Sequence, residues 1–139
     1  MGRLHLVEGT MRKEQYLEVL KHRVLPQADD WFEGSDWVFQ QDLAPCHTAH
    51  IVKHFFAEND ITVLSWPANS PDLNPIENLW AILKIRFGKL GLRTKHEAIR
   101  WMLNTAHYAQ DIQEICSNLV DSMPRRVSEC MKNKGGHVD

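Results

Sequence analysis

Trp37-Val38-Phe39-Gln40-Gln41-Asp42-Leu43-Ala44-Pro45 reads as a strand that stops at an acid. Its aromatic and β-branched opening favours an extended chain, and Ala44-Pro45 breaks that pattern, so Asp42 is expected at the strand's C-terminal end. Downstream, His47 to Glu58 carries Ile51, Val52, Phe55 and Phe56 as one helical face, and Ile61-Thr62-Val63-Leu64 is a further short strand. Upstream, Leu4-His5-Leu6 alternates up to Glu8-Gly9, which predicts a strand over residues 3–8 closed by a glycine turn. Tyr16, Leu17, Leu20 and Val24 then fall at helical spacing, with Thr10 as the expected N-cap and Pro26 as the expected stop of a helix near 11–25. Residues 26–35 read as an acidic loop. The order strand, helix, strand, helix, strand is that of an α/β domain.

Beyond the third strand, residues 65–74 are full of turn formers and predict a loop. Asn74 is placed as an N-cap and Pro75 as the first helical residue, after which Ile76, Leu79, Trp80, Leu83 and Phe87 mark a helix face ending near Gly88 and Gly91. Two more helices are expected, near 95–107 and 111–131, the second interrupted by Pro124.

With 139 residues and 43% hydrophobic content, the chain has the size and composition of one compact domain and is unlike a disordered segment. Cys46, Cys116 and Cys130 are odd in number and widely spaced, which argues for a reducing compartment and against a disulfide framework. No run approaches the roughly 18 apolar residues of a membrane span, so a soluble intracellular protein is expected. The net charge of −2 hides an uneven distribution. Residues 1–60 hold ten acids against six bases, whereas Lys84, Arg86, Lys89, Arg93, Lys95 and Arg100 face Glu97 alone between 84 and 100. Such a basic stretch can track phosphates, but taken alone it reads first as a solvated helix face and connecting loop.

Asp42 at a strand end and Glu77 in the first turn of a helix are the two acids placed for chemistry. Paired carboxylates on rigid elements hold divalent cations, and two cations roughly 3.5–4 Å apart clamp the attacking and leaving oxygens of a phosphodiester. Structural roles compete with this. Glu77 stands three residues after Asn74, where it can reach back to the N-cap amide, and Asp42 can close an Asx turn before Pro45.

Two blocks bear on that choice: Trp37 to Asp42 followed by Ala44-Pro45-Cys46-His47-Thr48-Ala49, and Ser70-Pro71-Asp72-Leu73-Asn74-Pro75-Ile76-Glu77-Asn78-Leu79-Trp80. They resemble the catalytic domain of Tc/mariner-type DDE transposases, in the branch that includes Sleeping Beauty. Gly2 to Leu20 and Asn133-Lys134-Gly135-Gly136 extend the likeness over nearly the whole chain. By this resemblance Asp42 and Glu77, with 34 residues between them, are the second and third acids of the catalytic triad and ligate metal. The resemblance further implies an RNase H-like fold with additional C-terminal helices, Mg²⁺ or Mn²⁺ as cofactor, cut-and-paste transposition and integration, action in the nucleus, and transposon-end and target DNA as partners.

The family's first catalytic Asp, its first two strands and its helix-turn-helix region lie upstream of everything in this chain, so the expectation is a partial catalytic domain that is inactive alone. Self-association, or pairing with that upstream segment, follows from the open sheet. Leu43 also departs from the family, which usually has Asn after the Asp. Glu8 and Asp72 are poor substitutes for the first acid, one at a sheet edge and the other in a turn.

Lys84, Arg86, Lys89, Arg93, Lys95 and His47 are the candidate DNA contacts. Cys46, His47, His50 and His54 form a stripe with no second element to close a zinc site, and His50 and His54 read as exposed. Trp66 is the tryptophan best placed to stack on a base, although the neighbouring prolines suggest that it packs its loop; Trp80 reads as core. The alternatives to a transposase fragment are a non-catalytic DNA-binding relic and a domesticated interaction module.

Overall fold

The computed structural model describes residues 2, 4–91, 93–103 and 110–136. The chain divides into two compact units, residues 2–68 and residues from 69 onward.

In the first unit, residues 4–8 form no strand, contrary to expectation. The alternation is present, but a strand needs a neighbour to take its amides and carbonyls. Residues 5–8 instead line a cleft with Met11, Gln15 and Val19. The helix that follows starts at Arg12 rather than Thr10, with the Arg12 amide donating to Gln15 Oε1 at 2.9 Å. It does not stop at Pro26. α1 (Lys13–Val19) passes through a π turn (Leu20–Val24) into α2 (Leu25–Phe32), so most of the expected acidic loop is helical. The π turn is the physical reason. Leu25 N–H donates to Leu20 O, five residues back, and this widened turn accommodates a proline ring that would clash with an ordinary one. Left-handed Glu33 (φ 47°) and Gly34 (φ 81°) end α2.

β1 (Val38–Phe39) and β2 (Thr62–Val63) are parallel, with Val38 opposite Thr62 and Phe39 opposite Val63. Leu64 N–H extends the ladder to Phe39 O at 2.8 Å. α3 (His50–Glu58) lies between them in the chain, as a parallel pair requires. Both strands are shorter than expected, because among the described residues each is paired on one side only. Leu20, Val52, Phe55 and Phe56 form the core, with Tyr16, Leu17, Phe39 and Val63 packed against them.

In the second unit, a 3₁₀ turn (Pro71–Leu73) leads into α4 (Pro75–Lys89), with Asn74 as N-cap and Pro75 first, as the sequence predicts. α5 (Lys95–Trp101) follows; residues 104–107 of its expected span lie outside the described residues. The single helix expected over 111–131 is two, α6 (Gln110–Asp121) and α7 (Met123–Lys132), separated at Ser122. Pro124 sits in the first turn of α7, where its missing N–H costs nothing. Leu79, Leu83 and Ile112 are the core, flanked by Trp80 and Trp101. No helix among the described residues is long and apolar enough to cross a membrane.

Thr94 caps α5 reciprocally. Its hydroxyl accepts from Glu97 N–H at 3.2 Å, while Glu97 Oε2 accepts from the Arg93 and Thr94 amides at 2.9 and 3.2 Å. The Arg93 amide, then the Thr94 amide, hold the Glu97 carboxyl below its ordinary pKa. Because the folded pKa is the lower one, this stabilisation is present above the unfolded pKa and is lost as pH falls through the folded value. Thr94→Ala should therefore cost about 1 kcal/mol at neutral pH in urea melts. Glu97→Gln should lose less stability than the parent chain on acidification below about pH 4.

Candidate metal centre

The two candidate ligands stand on different units. Asp42 follows β1 by three residues, with an exposed side chain, and Glu77 is exposed in the first turn of α4.

Around Asp42 the chain turns tightly. Ala44 N–H donates to Asp42 Oδ1 at 3.0 Å, so the Asx turn is real, and His47 Nδ1 donates to the same oxygen at 2.5 Å. The Ala44 amide first, and the His47 ring after it, hold the Asp42 carboxyl below its usual range despite some burial. Both bonds end on Oδ1, leaving Oδ2 without a recorded partner among the described residues.

A second layer fixes this loop. Tyr16 on α1 donates its hydroxyl to Gln41 Oε1 at 2.9 Å, and Gln41 Nε2 donates to His47 O at 3.2 Å. The Tyr16 ring also lies against the His47 ring, with centroids 4.2 Å apart. Burial drives the Tyr16 hydroxyl far above its ordinary pKa, with the nearby Cys46 and Asp42 adding to it, so it remains a donor. The sequence hinted at this partner only through a polar tip on an otherwise apolar helix face. Tyr16→Phe keeps the ring but leaves Gln41 Oε1 unpaired; it should cost about 1 kcal/mol in the first unit and shift the NMR signals of His47.

Glu77 is different. The Asn74 amide donates to Pro71 O at 3.0 Å, and no side-chain cap hydrogen bond closes the start of α4, so the capping box that would explain Glu77 is not made. The Glu77 amide donates to Asn74 O at 3.1 Å, while its carboxylate has no recorded partner among the described residues. Free, exposed carboxylate oxygens at Asp42 and Glu77 are the hard donors that Mg²⁺ or Mn²⁺ takes. Among the described residues no group of three His, Cys, Asp or Glu side chains is placed to hold a metal ion. The donor set is thus compatible in kind and short in number.

Among the candidate DNA contacts, Lys84, Lys89, Arg93 and Lys95 are exposed. Arg86 is engaged with Asp111 at 2.5 Å. His47 is half-buried against Asp42 and has left the helix that was expected to carry it, whereas His50 and His54 lie exposed on α3. Trp66 is half-buried in its loop, and Trp101 packs edge-on against Phe87 with centroids 4.8 Å apart.

The sequence pattern of the DDE superfamily endonucleases matches residues 2–99. The chain belongs to that family. Within it the relatives are Tc/mariner transposases. The chain is 35% identical to the Tcb1 transposase of Caenorhabditis briggsae and 33% identical to the Tc1 transposase of Caenorhabditis elegans, each over 97% of its own length and 48% of theirs. It therefore spans about half the length of these transposases. Among solved structures it is similar to the catalytic domain of Mos1 transposase determined with Raltegravir and Mn, with a TM-score of 0.79 and 20% identity over 94% of this chain and 67% of that one. The Mos1 strand transfer complex matches with a TM-score of 0.72 and 24% identity, over 94% of this chain and 38% of that one. The fold of this DDE-family chain is accordingly the RNase H-like α/β fold, here helix-rich with a small parallel sheet, and truncated relative to the solved Mos1 domain.

Proposed function

We propose that this chain supplies the second and third metal-binding carboxylates, Asp42 and Glu77, of a nuclear DDE transposase that cleaves transposon-end DNA and joins it to a target. The observation that carries the reading is the state of Glu77: a carboxylate held at a helix start by the backbone around it, engaged in no cap and no ion pair among the described residues. Asp42 offers Oδ2 in the same way.

Bound Mg²⁺ or Mn²⁺ would supply activation of the attacking oxygen and stabilisation of the leaving one. The protein's own part is to fix both carboxylates and to keep Asp42 ionised. The Ala44 amide and His47 do this for Asp42, and the exposed cations Lys84, Lys89, Arg93 and Lys95, with Arg86 beside them, hold phosphates. Mos1 structures with Mn and with Mg, and a Mos1 strand transfer complex, support a divalent metal and a DNA partner here by analogy.

Two carboxylates cannot position two metals as three can, so the third is proposed to come from the part of the catalytic domain that precedes the matched region. That part would also pair with the side of β1 that carries no strand among the described residues. The purified chain alone should neither nick nor join transposon-end DNA. Co-expressed with the preceding segment of the domain, it should form a one-to-one complex that melts higher and nicks in Mn²⁺. Metal-dependent nicking by the chain alone, or a complex that never forms, would refute the proposal.

A second reading draws on the two-member donor set. A non-catalytic DNA-binding or interaction module would show salt-dependent DNA affinity, or DNA-independent association, with no nicking in any complex.

A further inference from the structure

Arg126 is the buried charged side chain among the described residues, only 7% exposed. It stands on α7 and donates Nε to Ser122 Oγ at 2.9 Å, while the Ser122 hydroxyl in turn donates to Leu119 O at 2.7 Å. The rest of its guanidinium reaches far back along the chain: Nη1 donates to Asp72 O at 2.8 Å, and Nη2 reaches Asn78 Oδ1 at 3.4 Å. Asp72 lies in the 3₁₀ turn before α4, and Asn78 follows Glu77 directly in the first turn of α4. Asn78 Nδ2 lies 3.4 Å from Asn74 O, the carbonyl that also accepts the Glu77 amide. One guanidinium thus grips both sides of the turn that presents Glu77.

Burying a guanidinium is unfavourable, and a well-packed apolar side chain of similar volume would usually serve stability as well or better. What an apolar residue cannot do is hold a carbonyl and an amide oxygen in fixed directions, which the rigid five-donor fork of arginine does. We infer that Arg126 is a positioning residue: it locks the Asp72–Asn78 turn and so fixes the direction in which Glu77 presents its carboxylate. The functional part of this inference rests on the reading of Glu77 as a metal ligand; the structural part does not.

Isotope-labelled chain with Arg126→Met and Arg126→Lys separates the two parts. Amide exchange of Asn74 and Glu77, whose N–H groups bond within the turn, reads the lock without any metal. In Arg126→Met these two amides should exchange at least about tenfold faster, while those of Leu83 and Ile112 change by less than about twofold. Lysine keeps the charge but lacks the fork, so Arg126→Lys should fall between Met and the parent. Manganese titration is the second readout. The Mn²⁺ concentration that broadens signals around Glu77 should rise at least about tenfold in Arg126→Met and by less in Arg126→Lys.

Unchanged exchange at Asn74 and Glu77 in both variants would overturn the proposal. So would uniform acceleration through α4, α6 and α7 in Arg126→Lys, which marks general packing support; the lysine variant decides alone if the methionine variant fails to fold. A parent chain whose Glu77 signals ignore Mn²⁺ would sink the metal reading, and the exchange data would still decide whether Arg126 holds the turn.

Discussion

Asp42→Asn and Glu77→Gln should each reduce Mn²⁺-dependent nicking of transposon-end DNA by more than about 100-fold in the complex completed by the preceding segment. The bound is conservative, because changing residues that merely orient metal ligands already costs about 10- to 100-fold. Both substitutions are close to isosteric and neither should unfold the protein. Glu77 makes no carboxylate bond among the described residues, so glutamine there leaves nothing unpaired. Asparagine at 42 can still accept from Ala44 N–H through its Oδ1, although the charge-assisted bond from His47 weakens to a neutral one. Melting curves within about 1 kcal/mol of the parent would confirm that the fold survives. A charge-neutral variant that nicks at parental rate would remove that residue from the metal site.

The contrast between these acids shows how far sequence reasoning reaches. The turn formers around Asn74-Pro75 place Glu77 in the first turn of α4, which is local and legible, whereas the strand expected to end at Asp42 stops at Phe39, three residues short of it. The apolar spacing of Val52, Phe55 and Phe56 likewise identifies the buried face of α3. What was not legible depends on partners distant in sequence. The helix continues through Pro26 because a π turn forms just before it, and no local rule announces that turn. Residues 4–8 alternate like a strand yet lack a ladder partner among the described residues. Tyr16 and Arg126 are further cases. Helical periodicity assigns each to a face but cannot say that one hydroxyl meets Gln41, or that one guanidinium meets a turn 54 residues earlier.

The other large effect is expected in the first unit, at Phe56. This ring is 5% exposed and packs against Phe39 of β1 and Phe55, with centroids 5.4 and 5.9 Å away. Phe56 O also accepts from Ile61 N–H at 2.9 Å, at the bend that leads from α3 into β2. Phe56→Ala should therefore destabilise the unit by about 3–5 kcal/mol, the lost transfer energy of the ring plus the cavity it leaves. The cavity term should sit at the high end. Two parallel strands of two residues each form a sheet too small to collapse inward, and this ring packs α3 directly against Phe39 of β1. Since single domains have only about 5–15 kcal/mol in hand, the variant should be largely unfolded on warming to 37 °C. Phe56→Leu, which keeps most of the volume, should lose less than half as much. The consequence extends to Asp42, whose turn begins three residues beyond Phe39. Urea melts followed by circular dichroism would read the stability, and the NMR signal of His47 would read the turn. A cooperative melt within about 1 kcal/mol of the parent in Phe56→Ala would show that α3 is not what holds β1, and that the Asp42 turn is supported from elsewhere.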